Sequence, residues 1–426
     1  MTPAHDPGAS SRRTAAGRTL RDRTTFPIPH RSSFSAFADL RSLMAGCKPM
    51  SGILAKIVLV SFLVSGVVGN ATVMSQATGL ATDPITLMRD ATGRVAVCGR
   101  GSSADGSIVR VAATQDLSTV AMRRPAGTIF CLGAGTFHLR ERVYSQPGDR
   151  FIGRGRSETF IRPADVGQLT NGFSSTSPTS TVPVTYAHFD IGRFQAPLSN
   201  TSCDDACGTA IANIGSPVGG GVLIRDVRCH NNGTSCIGHG YGSVIADNIE
   251  CDHNGYHPDS LLLDYRSSAC IKMTEGSMVV RDSYIHDNAF DALWCDHCGH
   301  SQSLIQHNII VRNGRSGVYW EMSGQYVSGD HLVVRNNMIK NNGRNCGPQG
   351  SQMAAGVTSE DGSNVLVADN RFGGNSACGD GGRRAVYTFD GPADGVVDNI
   401  MISSNTLDGD RLDSCARPGV SCSGNR

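Results

Sequence analysis

Seven nine-residue segments between Ile224 and Asp410 repeat one pattern: an aliphatic start, a polar stretch, an apolar sixth residue and a closing Asn or Asp. They read IRDVRCHNN, ADNIECDHN, VRDSYIHDN, IQHNIIVRN, VRNNMIKNN, VADNRFGGN and ISSNTLDGD, and start at Ile224, Ala246, Val280, Ile305, Val334, Val367 and Ile402. Steps of 22 to 35 residues separate the starts. A period of that size marks stacked supersecondary units, none of which can bury its apolar face alone. Within a unit, apolar and polar residues alternate as in a strand, and the closing Asn is a residue type that tolerates a left-handed turn. The pattern predicts a solenoid of β-coils.

The columns of this stack say what would hold it together. The ninth position is Asn232, Asn254, Asn288, Asn313, Asn342, Asn375 and then Asp410. Buried amides at one level can bond the backbone and the amide of the next coil, forming a ladder. The sixth position is Cys229, Cys251, Ile285, Ile310, Ile339, Phe372 and Leu407, an inward apolar column. Parallel coils about 4.8 Å apart would set each of these on its equivalent.

Two further stretches carry a family resemblance. AGTIFCLGAGTFHLRERVYSQPGDRFIGRG, from Ala126 to Gly155, resembles the opening coils of the pectate-lyase-like superfamily of parallel β-helix repeat proteins. DALWCD and GVYWEM resemble members with an acidic residue just after the apolar start of successive third strands. The resemblance spans Ala126 to Asp410. It implies an all-β, single-stranded right-handed parallel β-helix of about 8–11 coils with terminal caps. It leaves the reaction open, because that superfamily mixes lyases, hydrolases, epimerases and non-catalytic adhesins. The expected organisation is a leader with signal peptide or signal anchor over 1–77, an N-terminal cap over 78–125, the helix over 126–410 and a disulfide-tied tail over 411–426.

Composition fits an exported, coil-rich chain. Gly is 51 of 426 residues, charged residues are 18% and net charge is +1, so there is no nucleic-acid footprint. The apolar run Ile57 to Gly69 follows Lys48 and Lys56. It is short for a membrane span and suits a signal-peptide core, so a secreted or periplasmic monomer is expected, with no membrane contact beyond a signal anchor. Of 15 Cys only Cys47 precedes the expected cleavage, leaving an even number. Column position pairs Cys229 with Cys251 and Cys236 with Cys270, along the stack. Proximity pairs Cys98 with Cys131, Cys203 with Cys207, Cys295 with Cys298, Cys346 with Cys378 and Cys415 with Cys422. The run CDHCGH, Cys295 to His300, is also open to a zinc reading.

Chemistry is expected on the third strand of each coil. CIKMTEG, ALWCDHCG, GVYWEMSG, GVTSEDG and AVYTFDG align on Ile271, Leu293, Val318, Val357 and Val386 as inward residues. The next position, outward, is Lys272, Trp294, Tyr319, Thr358 and Tyr387; two further on stand Thr274, Asp296, Glu321, Glu360 and Phe389, with Glu275, Asp361 and Asp390 one step beyond. Aromatic faces stack on sugar rings and carboxylates bond hydroxyls or exchange protons, so a polysaccharide or cell-surface glycan is the expected partner. Asp296 and Glu321 are the candidate catalytic pair, with Trp294, Tyr319, Tyr387, Glu360, Asp390 and Arg266 as substrate contacts. No cofactor is certain; Asp296 and Glu321 are alternatively Ca²⁺ ligands. A lyase would instead need a base, for which Lys272 and the histidines His286, His297, His300 and His307 are candidates, and a carboxylate clamp such as Arg266. The acidic face favours a neutral glycan. The rival reading is a non-catalytic glycan-binding or cell-surface scaffold on the same stack.

Overall fold

The computed structural model describes Cys98 and residues 107–426, apart from 166–170, 178–179, 196–207, 216–220, 239–241, 257–268, 299–301, 322–330, 346–353, 378–380 and 392–396. The expected leader, Cys203–Cys207, Cys346–Cys378, Arg266 and His300 therefore lie wholly or partly outside the described residues. Among the described residues, strand pairing is parallel throughout two stacks, a 19-stranded sheet and a ten-stranded sheet. The chain is a solenoid in which each coil contributes to both.

The seven repeat starts form one column. Ile224 pairs with Ala246, and the register continues through Val280, Ile305, Val334 and Val367 to Ile402. All seven are 0% exposed, which is the apolar burial that drives the stacking. The sixth column is continuous from Cys229 through Cys251, Ile285, Ile310 and Ile339 to Phe372.

The left-handed residue falls one place earlier than the sequence pattern suggests, and there are two per segment. The third position, Asp226, Asn248, Asp282, His307, Asn336, Asp369 and Ser404, has φ between 49° and 57°. The eighth, Asn231, His253, Asp287, Arg312, Asn341, Gly374 and Gly409, is also left-handed. Two such corners bend each coil, and short polar side chains or Gly tolerate them best. The ninth residue is thereby turned inward. Asn232 Nδ2 donates to Asn254 Oδ1 at 2.8 Å, and the relay runs through Asn288, Asn313, Asn342 and Asn375 to the Asp410 carboxylate. A second ladder occupies the fourth position: Asn308, Asn337, Asn370, Asn405 and finally Asn425, linked at 2.9–3.1 Å.

Aromatic rings fill the first coils, with Phe130 flat on Phe151 at 4.7 Å and Phe151 on Tyr186 at 5.7 Å. Before them a short helix, Leu117–Met122, is capped by Asp116, which accepts from the Ser118 amide at 3.0 Å, and buries Leu117 and Ala121 in the same core. At the far end Val420–Ser423 pairs with Ile400–Ser403, so the tail adds a rung to the stack as well as being tied by Cys415–Cys422.

The disulfides correct two pairings. Cys229 is bonded to Cys236 and Cys251 to Cys270, not Cys229 to Cys251 and Cys236 to Cys270. Stacked cysteines point the same way, side by side. The inward cysteines of the two sheets face each other across the narrow core, at Cα separations of 5.7 and 6.0 Å, and bond within a coil's width instead of along the stack. Cys98 is bonded to Cys131 and Cys295 to Cys298. Among the described residues no helix is long and apolar enough to cross a membrane.

Candidate functional site

The short sheet sets the register of the candidate site. Ile271, Leu293, Val318, Val357 and Val386 pair in sequence and are at most 1% exposed, so they form the inward column. Lys272, Trp294, Tyr319, Thr358 and Tyr387 form the next column, and Thr274, Asp296, Glu321, Glu360 and Phe389 the one after. Alternation then puts both columns on the outer face of the sheet.

Outward does not mean exposed here. Lys272 is 6% exposed, Trp294 4%, Tyr319 2% and Glu360 4%. The expectation that Trp294 and Tyr319 offer open faces to a sugar is corrected: Ala269, Trp294 and Tyr319 form a small apolar cluster of their own, apart from the main core. Strand alternation tells which side of a sheet a residue takes, not what lies above it. Lys272 Nζ sits 3.8 Å from the centre of the Trp294 ring, and the Arg315 guanidinium 5.1 Å from that of Tyr319. Trp294 Nε1 donates to Glu321 Oε2 at 2.7 Å, and the Tyr319 hydroxyl donates to Glu360. Tyr387 is half-buried, with Phe389 stacked at 5.3 Å and Arg384 4.4 Å from its ring centre; Asp390 is exposed.

Asp296 and Glu321 are register partners on adjacent strands, about 4.8 Å apart at the backbone. Their surroundings differ. Asp296 Oδ2 lies 3.5 Å from Lys272 Nζ and Oδ1 2.5 Å from His297 Nδ1, and its side chain is 18% exposed. Glu321 has its carboxyl pushed up to about 8, by burial first and then by the Asp296 and Glu360 charges, against the Trp294 N–H and Lys272. Burial also raises Glu360, where the Tyr319 hydroxyl works in the opposite direction. At neutral pH Glu321 carries a proton; Oε2 already accepts from Trp294, which leaves Oε1 to bear the O–H.

Cys295 and Cys298 bracket Asp296 and His297, and their bond closes this loop onto the core. Both thiols are used, so the zinc reading of CDHCGH is set aside. The same lysine weakens the calcium reading of Asp296 and Glu321, because a cation between them would meet the fixed Lys272 charge. His286 lies on a strand of the long sheet and His307 in the left-handed bend after the long-sheet strand Ser303–Gln306, neither of them on the short sheet that carries this site.

Two residues enter that the sequence pattern did not single out, Arg315 and Asp291, together with Asp361, which it placed one step beyond the acidic column. Arg315 (1% exposed) and Asp291 (0%) form a buried pair at 3.4 Å, and Asp291 also accepts from the Ser316 amide at 2.8 Å. Asp361, 0% exposed, accepts from the Gly391 amide at 2.6 Å and lifts Glu360 by its charge. Arg315 lies in the turn Asn313-Gly314-Arg315-Ser316, outside the strand columns. The sequence signal for it is an opposite charge, Asp291, at the start of the strand Asp291–Asp296 on the preceding coil.

The family described as "Right handed beta helix region" matches residues 271–384, the stretch that carries these columns. No curated protein matches the chain. Solved structures with a similar fold include the Azotobacter vinelandii mannuronan C-5 epimerase AlgE4 A-module, 15% identical, covering 72% of this chain and 71% of that one with a TM-score of 0.36. The Streptococcus pneumoniae surface adhesin PfbA is 12% identical over 74% of this chain and 84% of its own, at 0.49. The pectate lyase Pel9A is 13% identical over 75% and 79%, at 0.40. The architecture is a right-handed parallel β-helix.

Proposed function

We propose that this right-handed parallel β-helix is an exported carbohydrate-active enzyme that hydrolyses a glycosidic bond of a neutral glycan, with Glu321 as the general acid and Asp296 as the opposing carboxylate. One observation carries the reading: two adjacent carboxyls whose environments divide them. Glu321, held at about 8, keeps a proton to give to the leaving oxygen. Asp296, between Lys272 and His297, is held for nucleophilic or charge-stabilising work. Carboxyls about 5–5.5 Å apart suit retention of configuration, and the spacing of neighbouring parallel strands is of that order.

Elimination is less well served. Its base would be Lys272, whose ammonium is engaged by Asp296 and by the Trp294 ring. His297 Nδ1 lies 2.5 Å from Asp296 Oδ1, which occupies the ring. Export is supported by the five disulfides among the described residues, which an oxidising compartment maintains.

The test is a panel of neutral and acidic polysaccharides, read for new reducing ends and for the ultraviolet absorbance of unsaturated products. Reducing ends without absorbance, lost in Glu321→Gln and Asp296→Asn, are expected. Absorbance would overturn hydrolysis in favour of elimination. A second reading rests on the mutual satisfaction of Lys272, Trp294, Glu321, Tyr319 and Glu360, which needs no ligand: a non-catalytic glycan-binding scaffold. Binding to a polysaccharide with no turnover on any would select it.

A further inference from the structure

The outer face of the long sheet carries a second cluster with no part in the site above. Glu250 and Asp252 stand in the fifth and seventh positions of one repeat, and His286 in the seventh of the next, paired in register with Asp252. One ligand atom from each of the three lies within 4.8 Å of the others.

The histidine is the telling member. Its Nδ1 is 2.8 Å from Asp287 Oδ2, and Arg312 donates to the same carboxylate from Nε at 2.9 Å and Nη2 at 2.6 Å. A carboxylate so held only accepts, so Nδ1 carries the hydrogen and the ring orientation is fixed. Nε2 is left buried with no hydrogen-bond partner, in a residue 8% exposed. Its nearest acidic oxygen, Glu250 Oε1, is 3.8 Å away, too far for a hydrogen bond. If Nε2 bears a lone pair, it faces two carboxylates that have no hydrogen to give it; if it bears a proton, that proton has no acceptor. The neighbouring histidines differ. His230 Nε2 meets Asp190 at 2.9 Å, and His253 Nδ1 meets Asp252 at 2.7 Å.

We propose that Glu250, Asp252 and His286 Nε2 bind a first-row transition metal ion of the zinc class, with Asp287 as the outer carboxylate that orients the imidazole. A carboxylate–histidine–metal relay is the usual support of such a ligand. Ligand atoms on a tetrahedral zinc with bonds of about 2.1 Å are roughly 3.4 Å apart, so side-chain adjustment of about an ångström closes the set. Glu250 is half-exposed, which leaves a coordination position open to water. Two guanidinium groups share these carboxylates: Arg228, 3.1 Å from Asp252 and 3.4 Å from Glu250, and Arg156, 3.7 Å from Glu250. The Arg228 side chain is 39% exposed and has solvent to move into when the metal arrives. Their charge holds the affinity below that of a dedicated structural zinc site. Because the ligands come from two coils, the ion would join consecutive rungs.

The test uses the full chain after dialysis against a chelator. Zinc binding is measured by calorimetry, and cobalt binding by its visible absorption. One ion per chain is expected, with affinity lowered at least about tenfold in His286→Ala and in Glu250→Gln, and about 10–100-fold in Asp287→Asn. His307→Ala, whose side chain is 52% exposed elsewhere, serves as control and binds as the parent does. Far-UV circular dichroism shows whether each variant has folded; Glu250→Gln, at a half-exposed position, carries the test if His286→Ala does not fold. No zinc or cobalt binding at millimolar metal, or unchanged affinity in a folded Glu250→Gln, overturns the assignment.

Discussion

Replacing Glu321 by Gln isolates the electrostatics of the candidate site without any substrate. The amide has the shape of the protonated acid: its oxygen can accept from Trp294 Nε1, now at 2.7 Å, and its NH₂ can stand where the O–H stands. The sign follows from proton counting. The folded protein holds this proton up to about 8, whereas the unfolded chain releases it near 4.5. Between those values the native state binds more protons, so the wild-type protein loses stability as pH rises through the window and is level above it. At about 1.4 kcal/mol per tenfold in the proton equilibrium, the window is worth on the order of 3–5 kcal/mol. Glu321→Gln has no proton to lose there. Denaturant unfolding of both proteins at pH 5 and pH 9 therefore gives similar stabilities at pH 5, and at pH 9 a variant more stable than wild type by about that amount. Groups remote from Glu321 titrate alike in both and cancel in the difference, which leaves Glu321 and the neighbours coupled to it. Parallel loss of stability in the two proteins would refute the raised carboxyl and with it the acid role of Glu321.

Other outcomes follow from single contacts. Asn337→Ala removes an amide that accepts from Asn308 at 2.9 and 3.0 Å and donates to Ile305, Arg335 and Asn370 at 2.9 Å, and should cost about 3–5 kcal/mol in chemical denaturation. Gly314→Ala places a methyl 1.7 Å from the Ala289 carbonyl oxygen, backbone that has no way to yield, and soluble expression should fall sharply. Cys295→Ser with Cys298→Ser opens a four-residue loop worth about 2 kcal/mol; thermal melts should shift modestly while the proposed hydrolysis falls further, since Asp296 loses its anchor. Peptide mapping without reduction should recover Cys229–Cys236 and Cys251–Cys270, and recovery of Cys229–Cys251 would contradict the observed pairing.

The register of the coils was legible because each column has one chemical character. Ile224 to Ile402 stay aliphatic and Asn232 to Asn375 stay amide, so no other alignment satisfies both. The second ladder was harder to see, since its column begins Val227, Ile249, Ser283 and becomes Asn only at Asn308. The structure shows that change as a handover: Ser283 Oγ accepts from the Ile249 amide, and Asn308 Oδ1 from the Ser283 amide. At the candidate site the sequence located Asp296 and Glu321 on neighbouring rungs, but not the burial of Trp294 and Tyr319. That burial involves the rings' contacts with each other and with Lys272, Arg315, Glu321 and Glu360, which strand periodicity does not encode. Arg315 escaped for the same reason, lying in a turn between columns.

The asparagine relays have a direction. Each amide receives at its oxygen from the coil before and gives its N–H to the coil after, so the side-chain dipoles align and sum along the stack, positive toward the C-terminal rungs. The first relay ends where a carboxylate replaces the amide: Asp410 accepts from the Asn375 amide and side chain at 3.2 and 2.8 Å and from the Gly374 amide at 2.8 Å. It meets the positive end as an N-cap aspartate meets a helix. Having no N–H to hand on, it also writes a stop into that column. The ruler that counts coils is thus polar, and at Asp410 a single nitrogen-to-oxygen exchange ends its first scale.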